Sequence, residues 1–157
     1  MNHTKYIAYH ISDSCFQEGL ELNTNNINRS FAGNTDKDDI EQKAELARKK
    51  IALSRPSRKT CLFVCNSEHV QYWYEYYKKR AHPKIFYIHE VELDTSPFWT
   101  YADFLRDKKY EDYWDYQSGK VSNDYVEHEG LYEGKYRIVS VYSFSDFLEV
   151  KNFNNHI

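Results

Sequence analysis

Two β-forming runs near the end of the chain, residues 125–132 and 136–144, are separated only by Glu133-Gly134-Lys135. A parallel pair needs a crossover of about a dozen residues or more, so this spacing predicts an antiparallel pair turned at Glu133-Gly134. Other short strands are expected at residues 5–12, where β-formers run up to His10 before a Ser/Asp cluster, and at residues 60–65, a continuous apolar run. Residues 84–93 alternate Ile85, Tyr87, His89, Val91 and Leu93 against Phe86, Ile88, Glu90 and Glu92, the period of a longer strand.

Helical periods fall between these runs. Ile40, Ala44, Ala47 and Ile51 recur at steps of three and four over residues 36–53, with acids early and Lys49-Lys50 late, as the helix dipole prefers. Pro56 forces Arg55 out of helical angles and ends that run. Asn66-Ser67 is expected to cap a second helix carrying Val70, Trp73, Tyr74 and Tyr77 on one face. Ser96-Pro97 predicts a third, reaching about residue 109. Residues 15–22 read as a short helix or turn stopped by Gly19, residues 23–35 as a long Asn-rich loop, and residues 110–123 as irregular. Short strands interspersed with helices argue an α+β fold with a largely antiparallel sheet and flanking helices.

The 157 residues suit one domain spanning 1–157, large enough to bury a core without staples. A net charge of -3 supplies no global basic field for nucleic acid. Cys15, Cys61 and Cys65 form no C-x-x-C pair, which points to a reducing cytoplasm, and the polar Met1-Asn2-His3-Thr4-Lys5 start does not read as a signal peptide. No apolar run approaches the roughly 20 residues that cross a bilayer, so no membrane partner is expected. His82, His89 and His128 lack zinc spacing, so no metal is expected either. Fifteen tyrosines must find places for their hydroxyls, in clefts or on contact surfaces.

Three short strings carry chemistry: Tyr9-His10-Ile11-Ser12, the run from Cys61 through Phe63 to Ser67, and Glu127-His128-Glu129. Their order resembles the ADP-ribosyltransferase superfamily, in the subgroup whose signature is His, Tyr, Glu. The resemblance implies an ADP-ribosyltransferase-like split sheet that binds NAD in a cleft between its strand layers and consumes it as a substrate. It gives His10 a bond to an NAD ribose hydroxyl and the backbone of Ile11 the nicotinamide amide, with Tyr9 and Ser12 beside them. Phe63 stands where that subgroup carries its tyrosine, keeping a stacking face without the hydroxyl, and Ser67 follows at the strand-to-helix junction. Glu129 matches the superfamily's catalytic carboxylate.

Elementary chemistry supports the same residue types. Breaking the nicotinamide glycosidic bond develops positive charge on the ribose, which a fixed carboxylate such as Glu129 stabilises as it forms. Residues two apart on a strand share a face, so Glu127 is expected to address the same site and orient an acceptor. Arg58, within the basic run Arg55 to Lys59, is the expected partner of the NAD diphosphate. The expected function is transfer of ADP-ribose from NAD to an unknown protein or nucleic-acid acceptor, with release of nicotinamide. The alternatives are NAD glycohydrolysis, or a catalytically silent descendant of the fold that binds a protein or nucleic acid through its tyrosine-rich surface. The interleaved aromatic and basic string from Tyr72 to Arg80 suggests single-strand binding. Helical spacing instead puts Trp73 and Tyr77 against a core.

Overall fold

The computed structural model describes residues 5–155 apart from Ala32, Asn34 and Gln117. The polar start at residues 1–4 and parts of the 23–35 and 110–123 stretches lie outside the described residues. Among the described residues the fold is α+β, with seven strands in two antiparallel sheets and five α-helices. The chain divides into two compact units.

The first unit comprises the described residues of Met1–Leu22, Cys65–Thr95 and Lys135–Ile157. Its sheet has the order β1 (Tyr6–Ser12), β4 (Tyr87–Leu93), β7 (Lys135–Tyr142), β2 (Glu21–Asn23). β1 and β4 pair without interruption from Tyr6 opposite Leu93 to Ser12 opposite Tyr87. Between β4 and β7 the register shifts: Glu90 faces Ser140 while Val91 faces Ile138, so Val139 is the extra residue of a bulge. Ala8, Ile88, Val91, Leu93 and Ile138 are almost fully buried.

Helix α2 (Val70–Arg80) buries Val70 and Trp73, as its period requires. The rings of Tyr72, Tyr76 and Tyr77 surround Trp73 at 5.2–6.1 Å, and Tyr77 stacks on Phe86. Asn66 does not cap this helix through its side chain, because its Oδ1 is held 2.6 Å from His69 Nδ1 and a 3-10 turn, Ser67–His69, intervenes. Helix α5 (Phe144–Asn155) lies beyond the last expected strand. Its signal was present as Ser143 three residues before Asp146, and the Ser143 Oγ accepts the Asp146 amide at 3.2 Å. Tyr74 stacks on Phe144 with centroids 4.2 Å apart.

The second unit comprises the described residues of Asn23–Val64 and Ser96–Gly134. Helix α1 (Asp36–Ile51) is capped by Thr35, whose Oγ1 accepts the Asp38 amide at 3.1 Å. The three-stranded sheet has the order β3 (Leu62–Val64), β6 (His128–Tyr132), β5 (Phe98–Tyr101). Two short helices, α3 (Asp103–Arg106) and α4 (Tyr110–Trp114), join α1 over a core of Ala44, Ala47, Cys61, Phe98, Phe104, Tyr113, Trp114 and Leu131. The Trp114 Nε1–H donates to the Ala44 carbonyl at 2.7 Å, so the largest ring of this core also has its polar atom satisfied.

Besides the Asn66 cap, other sequence expectations give way, among them the irregular reading of residues 110–123, which include α4. Residues 96–109 are not one helix: Phe98-Trp99-Thr100-Tyr101 forms β5 because β6 offers it a ladder, and aromatic and β-branched side chains suit a pleated surface better than the proline signal suits a helix start. Glu133-Gly134 does turn the chain, with Gly134 at φ +138°, but the flanking strands do not pair. β6 belongs to the three-stranded sheet and β7 to the four-stranded one. Within 15–26 the chain forms an edge strand, β2, and then a 3-10 turn, Thr24–Asn26, tied down where the Gly134 amide donates to Thr24 Oγ1 at 2.9 Å.

The burial of α2 yields a stability test. Trp73→Ala should cost about 3–5 kcal/mol, and Tyr72→Ala, which removes a half-exposed ring, clearly less. Urea denaturation of both variants checks the order; equal losses would show that the packing does not centre on Trp73.

Candidate functional site

β6 is the middle strand of its sheet, and Glu129 lies one residue beyond the end of the β3 ladder at Val64–Gly130, paired with β5 on its other side and only 6% exposed. Thr100 lies opposite it on β5. The Thr100 hydroxyl donates to the Tyr113 carbonyl at 2.8 Å, which sets α4 over the sheet. From there the Tyr113 hydroxyl reaches Glu129 Oε2 at 2.6 Å. The turn after Pro56 delivers Arg58, which donates from Nη1 to the same Oε2 and, at 2.7 Å, to the Tyr113 oxygen. Its Nε and Nη2 grip the two oxygens of Glu41, on α1, at 2.8 and 2.9 Å. One guanidinium therefore joins two carboxylates and a phenol from three separate elements.

Burial opposes the charge on Arg58, but Glu129, Tyr113 and Glu41 outweigh it and hold its pKa well above the ordinary arginine value. Burial pushes the Tyr113 phenol well up, with Glu129 adding to the effect and Arg58 opposing it. Tyr113 is thus a neutral hydrogen-bond donor at physiological pH. Both donors to Glu129 converge on Oε2, and no donor among the described residues reaches Oε1. Phe63 on β3 lies under the guanidinium groups of Arg29 and Arg58, at 4.6 and 4.7 Å from its centroid. Residue 130 must be glycine: an added Cβ would come within 2.7 Å of the Trp99 ring and 2.9 Å of Val64. Trp99 in turn stacks on His128 at 5.2 Å.

The structure brings Arg58, Phe63 and Glu129 together in the second unit. Glu127, 1% exposed, lies just before β6 and meets a different cation, Arg106. Arg58 faces internal carboxylates, where the sequence suggested a diphosphate. Tyr9, His10, Ile11, Ser12 and Ser67 belong to the first unit. Tyr9 donates to Glu90 at 3.3 Å, and burial followed by Glu90 pushes its phenol up to about 12. Ile11 is buried opposite Ile88, and the Ser12 Oγ accepts the Ser14 amide at 3.0 Å. The His10 carbonyl accepts the Nδ1–H of His89, whose Nε2 accepts the Phe16 amide, each at 3.1 Å. These bonds fix His89 as a neutral tautomer; burial lowers its pKa, against the opposing effect of the His10 carbonyl.

Sequence reasoning missed Glu41, Tyr113, Arg29, Arg106 and His89. Glu41 had a signal, since it adjoins the apolar face of α1 next to Ile40 and three residues before Ala44. A carboxylate on a buried face requires a cation. Tyr113 and Arg106 had none, because only the tertiary packing of α4 and α3 brings them to β6. Among the described residues no group of His, Cys, Asp and Glu is arranged to hold a metal ion, and no helix is long and apolar enough to cross a membrane.

Residues 1–145 match the family described as protein of unknown function, DUF2441. The chain belongs to that family. No curated protein matches it. In this DUF2441 chain the matched span includes every residue of the Arg58 network and all nine of the sequence-derived site positions.

Two outcomes follow from these geometries. Arg58→Leu leaves Glu41 and Glu129 buried without their shared cation and should cost about 3–5 kcal/mol in denaturant unfolding; a loss below about 1 kcal/mol would show that the network contributes little. The depressed pKa of His89 contributes stability that is complete above the unfolded histidine value near 6.5 and declines as pH falls through the lower folded value. Between pH 7 and pH 5 the parent should lose stability more steeply than His89→Gln, and parallel slopes in thermal melts would exclude that linkage.

Proposed function

We propose that Glu129 is the catalytic carboxylate of an enzyme that cleaves the nicotinamide glycosidic bond of NAD and passes ADP-ribose to a macromolecular acceptor. The supporting observation is the position of its carboxylate, fixed through Oε2 by Arg58 and Tyr113 with Oε1 left without a donor. A carboxylate oriented before reaction stabilises positive charge at the ribose without reorganising as the charge forms. In the reaction the C1′–N bond breaks, its electron pair passes to nicotinamide, and a nucleophile on the acceptor bonds to C1′ and loses a proton. Water in place of the acceptor gives NAD glycohydrolysis. On the resemblance to ADP-ribosyltransferases, Glu127 is assigned to acceptor orientation and Phe63 to NAD binding within the second unit, and the NAD-binding roles that the resemblance gives Tyr9, His10, Ile11, Ser12 and Ser67 fall on the first unit. The cytoplasm is the proposed setting.

A second reading has its own support. Arg58, Glu41, Glu129 and Tyr113 bond mainly to one another in a mostly buried set, which suits a silent descendant that binds a protein or nucleic acid through its tyrosines. Labelled NAD incubated with protein, DNA and RNA separates the readings: label on a macromolecule indicates transfer, free ADP-ribose hydrolysis, and neither a binder.

Glu129→Gln and Glu41→Gln each remove one carboxylate from Arg58 and should destabilise the fold to a similar degree. Only Glu129→Gln should abolish NAD turnover, by roughly a hundredfold or more. Equal turnover in the two variants would overturn the catalytic assignment of Glu129.

A further inference from the structure

The second unit holds a cavity of about 540 Å³ along α1, within the range of roughly 300–1,000 Å³ typical of small-molecule sites. Its walls come from α1, from residues 28–31 and from Lys59. Two carboxylates line it, and both are paired from within: Glu41 with Arg58, a cation it shares with Glu129, and Glu45 with Arg48 at 2.7 Å and the Ser57 hydroxyl at 2.8 Å. Three lining cations are not matched in this way. Arg29 is fixed by its backbone amide on the Lys59 carbonyl at 2.9 Å and by Nη1 on the Arg58 and Cys61 carbonyls at 2.9 and 2.8 Å. Its Nε and Nη2 meet no acceptor among the described residues. Lys49 and Lys59 are exposed; Lys49 lies near enough to Glu45 to help lower its pKa, and neither ammonium is within salt-bridge distance of a carboxylate among the described residues.

The cavity also has an apolar wall. Leu46 is 67% exposed there, beside the half-buried Phe31. A preordered guanidinium fork and two ammonium groups suit the oxygens of a phosphoryl group, and a leucine beside an aromatic ring suits a flat ring system. We infer that this cavity binds a small organic phosphate, a phosphomonoester carried on an aromatic body. The inference stands apart from the NAD reading, because it uses neither Glu129 nor the first unit.

The test is calorimetry on the full chain with AMP, phenyl phosphate, adenosine and inorganic phosphate. At least one of the two aromatic phosphates should bind at least tenfold more tightly than adenosine and inorganic phosphate. The tighter of the two assigns the ring as a nucleobase or a simple aryl group. Lys49→Glu and Lys59→Glu, both at exposed positions, should each weaken that binding at least tenfold, whereas Lys37→Glu, on α1 but outside the cavity, should leave it within twofold. Binding of neither aromatic phosphate at millimolar concentration, equal binding of adenosine or of inorganic phosphate, or equal effects of the three charge reversals would overturn the inference. NAD turnover measured on the same lysine variants distinguishes the two proposals: unchanged turnover with lost phosphate affinity separates this cavity from NAD chemistry.

Discussion

Arg58 is the group on which the second unit depends, because a guanidinium taken almost wholly out of water must find acceptors for its charge inside the protein. Desolvating it alone would cost several kcal/mol, and a single carboxylate would recover only part of that. Glu41 takes it side-on through both oxygens, Glu129 end-on, and Tyr113 as a neutral bridge between cation and carboxylate. The result fixes α1, the turn after Pro56, β6 and α4 by directed bonds where hydrophobic contact alone would allow sliding. It also fixes Glu129 in one orientation, the property a catalytic carboxylate requires.

The strand carrying Glu129 serves different purposes on its two faces. Glu129 and Leu131 face the side on which Tyr113, Trp114 and Phe98 pack. Gly130 faces the other, where its missing side chain admits the Trp99 ring. Strand alternation thus explains why a glycine lies beside the site carboxylate in this sequence. Any side chain there would push the Trp99 ring, with its stack on His128, away from the sheet.

In the first unit the corresponding device is a neutral buried imidazole. His89 is fully buried on β4, yet both ring nitrogens are satisfied, one by a strand carbonyl and one by the Phe16 amide. A protonated ring would present two donors and leave that amide without its acceptor. The lowered pKa expresses the same fact.

The α1 period, the alternation of residues 84–93 and the interspersed strand-forming runs were enough to indicate an α+β fold with antiparallel sheets, although the two runs beside Gly134 pair with other strands and not with each other. These signals are local, because hydrophobic repeat and side-chain direction are properties of a short segment. Proline at 97 and the turn at Gly134 misled for the same reason: a local signal sets the direction of the chain but not which strand it will pair with. Glu129, Arg58 and Phe63 were each legible as candidates, whereas their contact was not. The partners that give the carboxylate its geometry, Glu41 and Tyr113, lie far from it in sequence, and only long-range packing makes Arg58 share itself among them. Residue chemistry was therefore written in the sequence, while its orientation, burial and charge balance were decided by the tertiary structure, because desolvation and shared hydrogen bonds exist only once distant segments meet.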